Sequence, residues 1–368
     1  MTIALDHAPS VFAFSANEFP EINGREEEWR FTPIKRSAGL VSGEAKIAGD
    51  IQVSAAELGG AKFEIVAKSD QRKGFTDRVA AFGFEHTTQV ASLTIPNNVE
   101  IAEPIQLDLR ADGKTVAGQI DINIGHQARA TVIMNYSGSG AFAGNVDINV
   151  GAGANLVVVS YQDWANDAVQ LSHHRISLAK DASVKHVVVT LGGNLVRILP
   201  SVNYQASGGA AELIGLYFAA AGQHAEHRLF VDHSVDNCRS NVVYKGAVDG
   251  QGAHTVWIGD VLIRANAIGT DTYEINRNLI LSDGGRADSV PNLEIETGEV
   301  EKAGHASVTG RLDDDQLFYL MSRGIDEPTA RQLVIEGFFS GIFGEFTHPE
   351  LKERLNERLN AAIERSHK

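Results

Sequence analysis

Two segments of this chain repeat each other almost position for position. Gly118–Gly125 has the sequence GQIDINIG and Gly144–Gly151 has GNVDINVG, so the copies begin at positions 118 and 144. A second apolar run follows each copy, and a third pair of runs lies further along: Thr131–Met134, Val157–Ser160, and Ile176–Leu178 with Val184–Val189. A period in the twenties that carries two short strands and no helix predicts a stacked β-solenoid.

Period-two alternation extends well beyond the repeat, as in Val256–Ile258 and Val261–Ile263. Alternation places successive side chains on opposite faces of a strand. We therefore predict a mainly β fold in which residues 39–311 form one solenoid. A β-sandwich is the alternative, but it does not readily explain an in-register repeat.

The two ends of the chain differ from this core. Residues 1–38 are mixed and polar, and the charged island Glu26–Arg30 predicts a solvated, irregular or short helical lead-in. Residues 312–368 show helical spacing, which predicts a helical module on the end of the solenoid.

Helix-capping residues divide this module into three helices. Asp313 is a candidate N-cap and Gly324 a stop. Asp326 with Pro328 begins the second helix, and the third begins near Pro349.

Composition excludes several classes of protein. The net charge of −15 disfavours nucleic acid and anionic membranes as partners. We see no secretory signal in Met1–Glu18 and no apolar run of about 18 residues. A single cysteine, Cys238, excludes an internal disulfide and favours a reducing, cytoplasmic location. It also excludes a cluster or zinc site built only from this chain's thiolates.

Candidate catalytic groups are few. The thirteen histidines lie mostly on alternating segments, so the adjacent pair His173–His174 faces opposite ways. There is no nucleophile elbow and no phosphate-binding loop. Glu294 and Glu296 share a strand face, so with Asp271 they allow the hypothesis of a β-helix enzyme acting on carbohydrate.

Five motifs over about a hundred residues carry a family resemblance. Their order is His233–Gly246, Asn276–Asp283, Pro291–Ile295, Lys302–Gly310 and Leu317–Gly324, followed by Ala330-Arg331 and Gly337-Phe338. Residues from about Ser240 to Phe346 thereby resemble the SufB/SufD family of iron–sulfur cluster assembly proteins, SufD more than SufB. Before Ser160 the similarity is only general.

The resemblance implies a right-handed parallel β-helix with helical ends that acts as a non-catalytic scaffold. It implies a heterodimer with a SufB-like subunit, and a SufC-like ABC ATPase docked on the C-terminal helices, through which ATP acts. No cofactor belongs to this chain alone, and an iron–sulfur cluster or iron forms transiently at the SufB interface. A homodimer of the isolated chain, and a SufB-like rather than SufD-like subunit, stay as alternatives.

The resemblance also suggests site residues. His305 takes the place of the family's interface histidine, with Lys302, Thr309, Glu294 and Glu296 as possible supporting residues. Ala303 stands where the family often has cysteine, so thiolate chemistry must come from the partner.

Two further sets of residues complete these expectations. Cys238 is a possible functional thiol but is expected to be a buried small residue in a strand. Arg323, Glu336 and Phe338 are the expected contacts with the ATPase.

Overall fold

The structure is a computed structural model that describes residues 8–344 and 349–366. Four α-helices are described: α1 Arg78–His86, α2 Asp314–Ser322, α3 Glu327–Phe343 and α4 Pro349–Ser366. Sixteen strands are described: β1 Gln52–Ala56, β2 Lys62–Ala67, β3 Gln89–Ile95, β4 Ile105–Ile124, β5 Arg129–Val150, β6 Asn155–Trp164, β7 Val169–Leu178, β8 Ser183–Thr190, β9 Leu195–Tyr204, β10 Ala210–Ala219, β11 His224–His233, β12 Arg239–Val248, β13 His254–Ile263, β14 Asp271–Ile280, β15 Arg286–Ile295 and β16 Lys302–Arg311.

From β6 to β14, each strand pairs in parallel with the strand two positions further along the chain, so the strands form two sheets. The even sheet contains β6, β8, β10, β12, β14 and β16, and the odd sheet contains β7, β9, β11, β13 and β15. The long strand β5 contributes its first half to the even sheet and its second half to the odd sheet. The prediction of a parallel β-solenoid with C-terminal helices is confirmed, with about eight turns.

The internal repeat in the sequence matches the register in which the stacked strands pair. Gly118 pairs with Gly144 and Asp121 with Asp147 in the parallel contact between β4 and β5. Ile148 in turn pairs with Ile176 of β7. Side chains that repeat in sequence therefore lie directly above one another, and their apolar members fill the space between the two sheets.

The N-terminal residues cover the outer face of the odd sheet. Helix α1 lies within the range for which alternation predicted strands, and its Val79 and Phe82 pack with Trp29 against that face. The island predicted to be solvated forms a short 3-10 helix, Glu27–Trp29, and its Glu27 and Arg30 are exposed. The prediction is wrong only at Trp29, which is buried beneath the Arg197 guanidinium, 3.8 Å from the ring centroid. A polar sequence here surrounds one anchoring aromatic ring.

The C-terminal helices cover the outer face of the even sheet. The predicted caps are confirmed at Asp313 and Asp326. The prediction that the helices stand on the end of the solenoid is wrong. Their apolar side chains, including Phe339 and Leu359, pack on even-sheet residues such as Leu216. No helix in the described ranges is long and apolar enough to span a membrane.

Candidate functional site

The last coil of the solenoid leaves two strand edges unpaired. Strand β16 stacks on β14 and β15 stacks on β13, and no further strand in the described ranges pairs with either. Val308 and Ile295 are exposed at these edges, Val308 by 57%. An unpaired edge with exposed apolar side chains offers backbone hydrogen bonds to another chain.

His305 lies on β16 at this open end. Its Cα pairs with that of Glu274 on β14, and alternation places both side chains toward the solenoid interior. The His305 side chain is 42% exposed, whereas that of Glu274 is 1% exposed. The two side chains approach to 3.7 Å between His305 Nδ1 and Glu274 Oε1.

Glu274 is a buried carboxyl without hydrogen-bond partners. Neither of its oxygens has a partner among the described residues. Burial raises its pKa to about 9, and the negative charge of Asp260 adds to the effect. Glycine at position 259 leaves room for it, since a Cβ there would lie 2.3 Å from Glu274 Oε2.

Of the predicted supporting residues, only Thr309 lies on the same face of β16 as His305. Thr309 faces inward from the same strand, and its hydroxyl accepts a hydrogen bond from Asn278 Nδ2 at 3.5 Å. Lys302 has the opposite parity and faces outward, with its Nζ 5.1 Å from the Tyr273 ring centroid.

The candidate carboxylates of the carbohydrate hypothesis lie elsewhere. Asp271 faces outward from the even sheet, whereas Glu294 faces outward from β15 in the odd sheet. Glu296 follows β15, and its Oε2 accepts a hydrogen bond from the Ala265 amide at 3.1 Å. The three are thus distributed over two sheets and a corner rather than along one strand face.

Cys238 is buried, as expected, but it is not in a strand. It lies in the corner just before β12, with its Sγ 3.5 Å from the Asp236 carbonyl oxygen and 3.6 Å from that of Ala206. Burial raises the pKa of the thiol. A buried thiol with a raised pKa is a poor nucleophile, which favours a structural role.

The residues expected to contact the ATPase differ in exposure. Arg323 is exposed at the end of α2, and Glu336 is half-buried on α3, where it accepts a hydrogen bond from Gln332. Phe338 packs between helix and solenoid, and its carbonyl oxygen accepts a hydrogen bond of 2.6 Å from Lys245 Nζ.

Sequence reasoning missed a set of exposed large apolar side chains on the C-terminal helices. The set consists of three side chains on α2 and one on α3, and we call it the α2 patch: Phe318, Tyr319, Met321 and Leu333. Phe318 alone is 73% exposed. Its signal in the sequence is adjacent large apolar residues on a short helix, where one helical face cannot bury both.

Two buried histidines contact each other inside the solenoid. His174 Nδ1 lies 3.0 Å from His186 Nε2 inside the solenoid, and burial lowers the pKa of His186 to about 4. His224 faces outward and His227 inward, as alternation predicted. No group of three or more His, Cys, Asp or Glu side chains that could hold a metal occurs within the described ranges.

A cavity of about 640 Å³ lies between the N-terminal residues and the odd sheet. Its arginines are paired with aspartates on the same surface. Arg72 and Arg175 both contact Asp147, at 2.8 and 2.6 Å, and Arg228 contacts Asp260 at 3.1 Å. Arg72 thereby joins the N-terminal residues to the solenoid, and Arg175 does so through hydrogen bonds to the Lys73 and Gly74 carbonyl oxygens, so the cavity is part of a structural seam.

Comparison with known proteins gives one consistent result. The family model described as SUF system FeS cluster assembly, SufBD core domain, matches residues 108–338. The chain is 46% identical over 364 residues to an iron-sulfur cluster assembly SufBD family protein of Mycobacterium tuberculosis, covering 96% of this chain and 92% of that protein. It is 47% identical to a SufBD family protein of Mycobacterium leprae, covering 96% and 93%. It is 27% identical over 389 residues to the iron-sulfur cluster assembly protein SufD of Escherichia coli (strain K12), covering 92% and 88%.

Proposed function

Because the chain belongs to the SufB/SufD family of iron–sulfur cluster assembly proteins, we propose that it is the SufD-like scaffold subunit of a cluster assembly complex. In this proposal it performs no chemistry alone. It holds a SufB-like subunit at one surface and a SufC-like ABC ATPase at another, in the cytoplasm. The observation that carries the proposal is the pair of unpaired strand edges at the end of a family solenoid.

The SufB-like subunit binds at the last coil in this proposal. Strands β15 and β16 present free backbone groups, and Val308 and Ile295 supply apolar contact beside them. A second β-solenoid with a similar end could continue both sheets. A second copy of this chain could use the same edge, which is the homodimer alternative.

The ATPase docks on the C-terminal helices in this proposal. The α2 patch exposes four large apolar side chains on the adjacent helices α2 and α3, and clustered exposed apolar side chains mark interaction sites. Arg323 adjoins the patch, with its guanidinium 5.2 Å from the Tyr319 ring centroid. Phe338 and Lys245 connect the module to β12, so movement of the ATPase would reach the solenoid as a rigid-body displacement.

Iron and sulfide are substrates of the complex in this proposal. His305 would supply an imidazole ligand at the shared edge, since imidazole is a suitable ligand for iron. Thiolates would come from the partner, because Ala303 provides none and Cys238 is buried in a corner.

Co-purification with the SufB-like and SufC-like proteins of the same source tests whether the SufB-like subunit binds at the edges of β15 and β16. We expect Val308→Lys to abolish or weaken recovery of the SufB-like subunit at least tenfold, because a charge would be desolvated in the interface. Val66→Lys, at an exposed position of the edge strand β2, is the matched control and should leave recovery unchanged. Equal recovery with Val308→Lys would contradict the assignment of this edge.

The same purification tests the α2 patch. We expect Phe318→Ala to reduce recovery of the ATPase at least tenfold while the SufB-like subunit stays bound, because a central aromatic anchor contributes about 2 kcal/mol or more at an interface. Phe12→Ala removes an exposed phenylalanine on the opposite side and is the control. Loss of the ATPase with both variants, or with neither, would count against docking at this patch.

A further inference from the structure

Glu274 and His305 form a pair that the SufB/SufD motifs do not describe. They are neighbours across the last two coils of the even sheet, in register and on the same inward side. His305 is reached from solvent, and Glu274 lies directly behind it, buried from solvent. Any small cation that arrives at His305 from the open end therefore meets the Glu274 carboxyl next.

The carboxyl group of Glu274 is an unusual feature for a folded protein. It is 1% exposed, and both oxygens are without a hydrogen-bond partner in the part of the chain that the structure describes. Buried polar groups are almost always partnered, and an unpartnered carboxyl costs several kcal/mol. The absence of a side chain at Gly259 leaves the space that the Glu274 carboxyl group occupies. The arrangement is that of a site whose partner is not part of this chain.

The distance between the two side chains fits one kind of partner. At 3.7 Å, His305 Nδ1 and Glu274 Oε1 are too far apart for a good hydrogen bond. Nitrogen and oxygen ligands each about 2.1 Å from one divalent metal ion, at angles of about 90–120°, lie about 3.0–3.6 Å apart. The observed separation of 3.7 Å is just above that range, so a small side-chain adjustment brings both atoms to one ion.

We propose that Glu274 Oε1 and His305 Nδ1 are two ligands of one ferrous iron at the open end of the solenoid, with the remaining ligands supplied by water or the partner subunit. This inference rests on the proposed function, which makes iron a substrate at this edge. Imidazole with carboxylate is a ligand set typical of non-haem ferrous iron. No third His, Cys, Asp or Glu side chain joins this pair within the described ranges, so water completes the site in the isolated chain and the partner subunit can replace water in the complex.

Anaerobic calorimetric titration of the purified full-length chain with ferrous ammonium sulfate tests whether Glu274 and His305 bind iron. We expect Glu274→Gln and His305→Ala each to weaken iron binding at least tenfold relative to the wild type. Glu274→Asp, which keeps the carboxylate but shortens its reach, should weaken binding to an intermediate degree. Glu103→Gln, at an exposed carboxylate just before β4 and remote from the open end, should bind as the wild type does. Thermal unfolding of each variant confirms that it is folded.

The outcomes separate this inference from the proposed function. If Glu274→Gln binds iron as the wild type does while His305→Ala does not, Glu274 is not a ligand and the scaffold proposal stands. If the wild type binds no iron, or neither substitution weakens binding, the two-ligand site is overturned. The scaffold proposal is decided independently by co-purification, which requires no metal.

Discussion

Two buried glutamates of this solenoid, Glu226 and Glu274, have the same exposure and opposite surroundings. Each is 1% exposed. Glu226, on β11, accepts hydrogen bonds from Arg197 at 3.0 Å and from Thr32 at 2.8 Å. Burial alone would raise its pKa, but the hydrogen bond from His224 and the charge of Arg197 outweigh that effect and hold the pKa at about 2.

Glu274 sits near the open end, without such partners, and its pKa is raised. The difference teaches that a coil in the middle of the stack satisfies its buried charge from within the chain. Glu226 draws on the N-terminal segment through Thr32 and on a neighbouring strand through Arg197. Glu274, on β14, has only the last strand β16 beyond it, and the side chain stacked on it there, His305, approaches no closer than 3.7 Å, so this buried carboxyl depends on something outside the chain.

The largest expected effect on the free energy of unfolding comes from breaking the ion pairs that Arg197 makes with Glu226 and Asp77. Arg197→Met removes the cation between Glu226 and Asp77, to each of which Arg197 is bonded at 3.0 Å. Two buried carboxylates then lose their counter-charge, and we expect a loss of about 3–5 kcal/mol in the free energy of unfolding, measured in urea. Arg110→Met, which removes the exposed pair with Asp112, is the control and should cost about 1 kcal/mol or less. Similar losses for the two variants would show that the network is not a stabilising unit.

A smaller effect is expected from acid. The folded-state pKa of Glu226 lies below its ordinary value, so its stabilisation is present above about pH 4.5 and is lost as the pH falls toward 2. Between about pH 5 and pH 3 this carboxyl should account for a loss of about 2 kcal/mol. Unfolding free energies of wild type and Glu226→Gln, measured at both pH values, isolate it, because buried histidines such as His186 contribute equally to both proteins. A pH dependence that is unchanged in Glu226→Gln would contradict the assignment.

The smallest effect is expected at Glu274 itself. Glu274→Gln breaks no hydrogen bond within the described residues, and it replaces a carboxyl by a neutral group of similar shape. We expect the free energy of unfolding near neutral pH to change by no more than about 1 kcal/mol. The contrast is with Glu226→Gln, which should cost about 3 kcal/mol under the same conditions because Arg197 loses its partner. A large loss at Glu274 would mean that it stabilises the fold, and the two glutamates would then be alike.

Local and repeated features of this fold could be predicted from the sequence. The repeat at Gly118 and Gly144 predicts the register of β4 and β5, because stacked coils of equal length place equivalent residues opposite one another. The helix N-caps Asp313 and Asp326 act on amides two or three residues away. Each of these depends on neighbours in the chain or on strict periodicity.

Features that depend on distant partners could not be predicted. Trp29 lies in a polar island, and it is buried by side chains that are remote in sequence, among them Phe82 and Arg197. The pairing of Glu274 with His305 depends on the length of the corner between β15 and β16, because one residue more or less would turn one side chain to the other face. The motifs identified His305, but no motif pointed to the carboxyl behind it.

The order in which the chain is synthesised gives the C-terminal helices a further significance. Even-sheet residues such as Val159 and Leu216 leave the ribosome long before Phe339 and Leu359, which cover them. Until translation ends, a growing solenoid therefore carries a long apolar face in water. Such a face is prone to aggregation and attracts chaperones. Premature termination between Arg311 and Glu327 would leave a complete stack of coils without its cover, so an unfinished chain would differ from a finished one by one uncovered sheet.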